Sequence, residues 1–200
     1  MAVEYDGGVV LGADSRTSTG SYIANRVSDK ITYVSDSIYV CRSGSAADTQ
    51  AIADILRMYL GMHSLEQGGQ PETPVAANIL NQLCYNNKNN LMAGMICAGW
   101  DKRNGGQVYS IPLGGGIFRE AYTIGGSGSG YIYGYCDTNF RKGMSKKEAQ
   151  EFVKNAVSLA MWRDGSSGGV IRTVTISKDG VERQMIEGEN LPNLAAGWAP

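Results

Sequence analysis

Ala2-Val3-Glu4-Tyr5-Asp6-Gly7-Gly8-Val9-Val10-Leu11-Gly12-Ala13-Asp14 is the stretch on which the fold turns. Two runs of strand-forming residues flank Asp6-Gly7-Gly8, a hairpin signal, because glycine supplies the backbone freedom a tight β-turn needs. The chain therefore opens in antiparallel β-structure. The second run is apolar along its whole length and stops at Asp14. A carboxylate at the end of a buried strand has to be paired or hydrogen-bonded. Lys30, which opens the next β pair, is the partner the spacing offers. From spacing alone an ordinary structural salt bridge explains such a pair as well as a chemical role does.

Working outward, residues 31–34 and 38–41 form a second β pair around Asp36. Ile52, Ile55, Leu56, Tyr59 and Leu60 then recur at helical spacing and predict one buried helical face. Gly68-Gly69-Gln70-Pro71 breaks that helix, and Ala76, Ile79, Leu80, Leu83 and Cys84 restart the period. Residues 95–100, 107–111 and 120–124 read as strands. Ser145-x-x-Glu148 is a capping box opening a helix whose buried face runs from Ala149 to Met161. Residues 170–176 and 181–186 close the fold around Asp179-Gly180. Strands and helices come in segregated blocks, which predicts α+β rather than alternating βαβ units. Two antiparallel sheets packed together and flanked by helices, a four-layer αββα sandwich, would bury every apolar stripe. We expect one domain over residues 1–200, with 187–200 as an arm.

The chain has 200 residues, 42% hydrophobic and 18% charged, a balance that excludes wholesale disorder. Lys plus Arg number 18 against 19 Asp plus Glu, so there is no basic footprint for nucleic acid and no polybasic membrane face. No apolar stretch is long enough to span a bilayer, and residues 1–5 lack the regions of a signal peptide. Four scattered cysteines and a single histidine predict no metal site. Buried reduced thiols, and hence the cytoplasm or nucleus, are the expectation.

Gly165-Ser166-Ser167-Gly168-Gly169 matches the GxSxG elbow formally, but that elbow needs a strand before the serine and a helix after it. Here the order is reversed. His63, read as lying just past a helix, also precedes the serine instead of following it. The Gly-rich run 125–130 lacks both the GxGxxG spacing and the Lys-Ser/Thr pair of a phosphate loop. What remains is a set of polar residues at strand ends: Asp14, Arg16, Lys30, Arg42, Asp48, Ser127, Asp164 and Ser167.

At this point the residues carry a resemblance. Gly12-Ala13-Asp14-Ser15-Arg16, Ser28-Asp29-Lys30, Arg42-Ser43-Gly44-Ser45-Ala46-Ala47-Asp48, Gly126-Ser127-Gly128-Ser129 and Arg163-Asp164-Gly165-Ser166-Ser167-Gly168-Gly169 resemble the proteasome β-subunit family, in order along nearly the whole chain. Cys41-Arg42-Ser43-Gly44 and Ser21-Tyr22-Ile23-Ala24-Asn25-Arg26 are similar to its eukaryotic beta-1, caspase-like type. The resemblance implies an N-terminal nucleophile hydrolase fold and assembly with α and β subunits into stacked seven-membered rings of a 20S core. It implies cleavage of unfolded polypeptides after acidic residues in ubiquitin-dependent degradation, with no metal or organic cofactor.

The family's nucleophile is an N-terminal threonine, expected three residues before Met1, where the sequence as given has none. Either the sequence starts after the mature N-terminus, which the matching site positions favour, or the copy is a non-catalytic ring subunit. A homomeric bacterial-type peptidase fits less well, because the Arg42 segment belongs with subunit-specific pockets. By resemblance, Lys30 would sit beside the threonine, held by Asp14. Ser127, Asp164 and Ser167 would fix the amine and its water, and the Gly44 N–H would form the oxyanion hole. Arg42 would read an acidic side chain in a pocket lined by Thr17, Ser28, Thr32, Ala46 and Gln50. Ser18 and Ala46 would bind the substrate backbone as an added strand.

Overall fold

Both faces of the opening hairpin are buried, and this sets the layering. In the computed structural model, which describes residues 1–192, β1 (Ala2–Tyr5) and β2 (Gly8–Ala13) pair antiparallel, Ala2 opposite Leu11 and Tyr5 opposite Gly8. Successive side chains on a strand point to opposite faces. Val3 and Val10 therefore join a core with Phe152, Val153 and Ala156, whereas Ala2, Val9 and Leu11 join one with Ile31, Cys41 and Ile96.

A two-stranded ribbon follows, β3 (Thr17–Thr19) and β4 (Tyr22–Asn25), then β5 (Ile31–Ser35) and β6 (Ile38–Gly44). Two helices come next, α1 (Ala46–Gln67) and α2 (Thr73–Asn86), then β7 (Ala93–Asp101), β8 (Gly105–Ile111), β9 (Phe118–Glu120) and β10 (Tyr122–Thr123). The chain continues through α3 (Tyr133–Asn139), α4 (Lys146–Arg163), β11 (Ile171–Ser177) and β12 (Gly180–Ile186). One sheet runs β10-β1-β2-β11-β12 and the other β5-β6-β7-β8-β9, every pairing antiparallel. Three cores separate four layers. Leu56, Leu60 and Leu80 pack α1 and α2 onto the second sheet; Leu11, Ile31 and Val174 fill the space between the sheets; Phe152 and Val153 pack α4 onto the first sheet. The expected αββα sandwich is the observed one.

Three expectations need correction, and two elements went unannounced. Residues 120–124 are not one strand: the chain changes sheets at Ala121, so β9 pairs with β8 while β10 pairs with β1. The α1 stripe is divided, with Ile52, Leu56 and Leu60 buried but Ile55 and Tyr59 exposed beside Met58, Met62 and Leu65. Helical spacing marks an apolar face without saying whether this chain or another covers it. His63 lies inside α1, not past its end, because the helix continues to the Gly68 cap at φ 69°. The β3–β4 ribbon and α3 carried no apolar period strong enough to announce them. Of the arm, residues Gly188–Asn190 form a 3-10 turn and Leu191 packs against the α4 core, while Leu194 and Trp198 fall outside the described residues.

All four cysteines are free and buried. Burial pushes the Cys97 thiol up to about 12 and those of Cys84 and Cys136 up to about 11. A thiol reacts as its thiolate, so at pH 8 the folded protein should titrate almost no thiol with Ellman's reagent, and all four after denaturation. A fast-reacting thiol in the folded protein would contradict this layering.

Candidate active site

The site forms where strands of both sheets end on the same side of the sandwich. β2 runs out at Ala13, and the next residue, Asp14, spends both carboxylate oxygens. Oδ1 accepts from Lys30 Nζ at 2.6 Å, and Oδ2 accepts from the N–H groups of Arg16 at 3.2 Å and Gly168 at 3.0 Å. The pair is largely covered, Lys30 being 24% and Asp14 14% exposed. Lys30 in turn stands next to β6, because Arg42 N–H donates to the Lys30 carbonyl at 3.0 Å.

Asp164, the residue that ends α4, holds the other wall. Its Oδ2 accepts from Ser127 Oγ at 2.7 Å and from Ser167 Oγ at 2.6 Å, and its Oδ1 from Ser166 N–H at 3.1 Å. Burial opposes ionisation of Asp164. The hydrogen bonds from Ser167, Ser127 and Ser166, with the Lys30 charge behind them, outweigh it and hold the carboxyl below its usual range. Arg16 clamps this loop to β2 by donating from Nη1 to the Gly165 carbonyl at 2.6 Å.

Gly44 closes β6 with φ 100°, in the region only glycine enters readily. A Cβ there would also overlap the Met92 carbonyl oxygen. That carbonyl is fixed by Ser45 N–H at 2.8 Å, and Met92 N–H by Asp48 Oδ2 at 3.0 Å. Ser45 caps α1, so Gly44 sits at the strand-to-helix corner with its peptide exposed to the cleft.

The cleft holds about 940 Å³ and collects most of the residues singled out above: Asp14, Lys30, Gly44, Ser127 and Ser167, with Thr17, Ser18, Ser28, Arg42, Ala46 and Gln50. Asp164 and Thr32 are not in its lining. Each stands one bond behind it, Asp164 behind the two serines and Thr32 accepting Arg42 Nε at 2.8 Å. Arg42 Nη1 also donates to Thr49 Oγ1 at 3.2 Å and Nη2 to the Asp29 carbonyl at 2.9 Å. Thr17 and Ser28 share a hydrogen bond at 2.6 Å. Sequence reasoning missed Thr49 and Met1, which also border the cleft. Thr49 carried a signal only in hindsight, a polar residue on the buried stripe of α1. His63 is absent from the lining, and no group of His, Cys, Asp and Glu among the described residues could hold a metal ion.

A family model described as proteasome subunit matches residues 1–176. The chain is 62% identical over 197 residues to proteasome subunit beta type-6 of Dictyostelium discoideum, covering 98% of this chain and 92% of that one. It is 57% identical over 183 residues to the probable proteasome subunit beta type-1 of Schizosaccharomyces pombe, covering 92% and 81%. Against proteasome subunit beta type-1 of Saccharomyces cerevisiae the figures are 58% over 183 residues, covering 92% and 85%.

Asp164→Asn should lower stability by about 2 kcal/mol at neutral pH, the range for hydrogen bonds to a charged group. A carboxyl whose folded value is depressed contributes stability above its unfolded value of about 3.9, and loses it as pH falls through the folded value. The gap in thermal midpoint between parent and variant should therefore be constant from about pH 7 to 5 and narrow below about pH 4. A gap that stays constant to pH 3 would show that the charge contributes nothing.

Proposed function

The chain belongs to the proteasome subunit family as a β subunit of the 20S core, and from that premise we propose that it is catalytic, a threonine endopeptidase that cleaves after acidic residues. The observation that carries this reading is the Lys30–Asp14 pair beside the upstream end of β1. Met1 continues the β1–β2 ladder, its N donating to the Gly12 carbonyl at 2.8 Å and its carbonyl accepting from Gly12 N–H at 2.9 Å. Three more residues, at about 3.3 Å each, would carry that strand along β2 to the level of Asp14 and Ser15. A threonine there would meet the Lys30 ammonium.

A hydroxyl is a weak nucleophile unless a base adjoins it. A terminal threonine supplies its own, since an α-amino group titrates near 7.7–8.0, as a general value. The hydroxyl oxygen attacks the scissile carbonyl and its proton passes to the amine. The Lys30 charge favours the deprotonated oxygen, and the Gly44 N–H faces the developing oxyanion. Collapse of the intermediate forms an ester and returns the proton to the leaving amine; water then cleaves the ester. Ser127 and Ser167, fixed by Asp164, would orient the amine and the water.

Three of Arg42's five N–H donors are taken by Thr32, Thr49 and Asp29. One on each terminal nitrogen is left for a substrate carboxylate, which supports an acidic preference. Thr17, Ser28, Ala46 and Gln50 would complete that pocket, and Ser18 with Ala46 the strand-like backbone contact. The exposed apolar row of α1 supports packing against other subunits in heptameric rings. Buried free thiols fit the reducing cytoplasm and nucleus.

The test uses assembled particles carrying the chain with its upstream threonine and the other active subunits blocked. Lys30→Ala should abolish hydrolysis of acidic peptides without loss of assembly. Retained activity would remove Lys30 from the mechanism, and a parent particle without activity would leave the chain a ring-shaping subunit. Arg42→Met should lower kcat/KM for peptides with Glu or Asp before the scissile bond by roughly a hundredfold, taking about 3 kcal/mol for an unpaired buried carboxylate. Cleavage after Leu should hold or rise. An unchanged acidic-to-apolar ratio would end the specificity assignment while leaving the catalytic one standing.

A further inference from the structure

Ser15 is fully buried, follows Asp14 directly and takes no part in lining the cleft. Each of its polar groups goes to a neighbouring segment. Its N–H donates to the Gly168 carbonyl at 3.1 Å and its carbonyl accepts from Ser28 N–H at 2.9 Å. Its hydroxyl donates to the Arg26 carbonyl and accepts from Val170 N–H at 2.8 Å. One residue thus joins the end of β2 to the stretch that leads into Lys30 and to the loop that follows Ser167.

Those two segments need such a joint. Residues 26–30 and 164–170 belong to no strand or helix, so no ladder sets their distance from Asp14. Arg172 from β11 and Arg183 from β12 add bonds to the Val27 carbonyl at 3.0 Å and to Asp29 Oδ2 at 2.8 Å, but both bonds are exposed, whereas the Ser15 bond to Val170 is buried. At Gly169, φ is 83° and a Cβ would overlap both Ser15 Oγ and the Arg26 carbonyl. The three backbones can come together here only because that residue is glycine.

We propose that Ser15 is a positioning residue: its hydroxyl sets where Lys30 stands relative to Asp14 and Ser167, and so how well the upstream threonine is activated. This rests on the catalytic reading above. A displacement of about 1 Å in a reacting constellation can cost on the order of a hundredfold in rate. Of the three groups that hold Arg42, only the Asp29 carbonyl lies in the stretch 26–30; Thr32 in β5 and Thr49 in α1 hold it independently, so substrate binding should be largely spared. Removing the hydroxyl should lower kcat and leave KM alone.

The experiment compares parent, Ser15→Ala and Lys30→Ala chains, each with the upstream threonine, in purified assembled particles with the other active subunits blocked. Rates on an acidic fluorogenic peptide are normalised to particle concentration. For Ser15→Ala we expect kcat at least fivefold lower with KM within twofold of the parent. A smaller fall in kcat, or a loss carried by KM, overturns the proposal. A role in stability alone would lower particle yield and thermal midpoint but leave kcat per particle unchanged, and that result overturns it too. If Ser15→Ala does not assemble, Ser15→Cys, which keeps a weaker acceptor for Val170, is held to the same criteria. Lys30→Ala separates the two readings. If it is inactive while Ser15→Ala is normal, only the positioning role falls; if Lys30→Ala is active, the role of Lys30 falls and the positioning role with it; if the parent itself is inactive, the catalytic reading falls and takes both with it.

Discussion

The Asp14 carboxylate is where the structure closes. Left unpaired at the end of a strand buried on both faces, it would carry a heavy desolvation cost. Lys30, Arg16 and Gly168 converge on it and remove that cost. In doing so they bring together three pieces of chain far apart in sequence: the end of β2, the approach to β5, and the loop between α4 and β11. A cation is thereby held in the lining of a cleft, where irregular chain leaves the strand ends.

The layering makes this convergence possible. β2 and β11 are neighbours in one sheet, β5 and β6 in the other, and the apolar contacts of Leu11, Ile31 and Val174 press the sheets together. Strand ends from both sheets therefore open onto one side. Irregular chain leaving those ends can hold polar groups where regular ladders could not, and the interior behind stays apolar. Hydrogen bonds among neighbouring groups then take over the work of the ladder. Asp164 orients two serines, Arg16 clamps the loop that bears one of them, Ser167, and Ser15 ties both irregular segments to β2.

The same economy links the two halves of the cleft. The short stretch from Ser28 to Thr32 carries the cation at Lys30 and two of the groups that fix Arg42, the Asp29 carbonyl and the Thr32 hydroxyl. Arg183 from β12 steadies the stretch through Asp29 Oδ2 at 2.8 Å and the Ile31 carbonyl at 2.6 Å. On the function proposed, bond cleavage and side-chain preference meet on one strap, with Thr32 in β5 and Thr49 in α1 holding Arg42 apart from its irregular part.

Much of this was legible in the sequence. Alternation and helical period marked most of the strands and three of the helices, Asp6-Gly7 the first turn, and Ser145 with Glu148 the start of α4, because each is a local preference of a few adjacent residues. Asp14 and Lys30 could be paired from the cost of an unpaired carboxylate. The sheet change at Ala121 could not be read, since one alternating run serves either sheet and only the neighbours on offer, β8 and then β1, decide between them. Ile55 and Tyr59 show the same limit, apolar at helical spacing yet left uncovered by this chain. Thr49 beneath Arg42 and the joint at Ser15 were also hidden. Their partners lie far along the chain or in the backbone, and only packing brings those groups within hydrogen-bond reach.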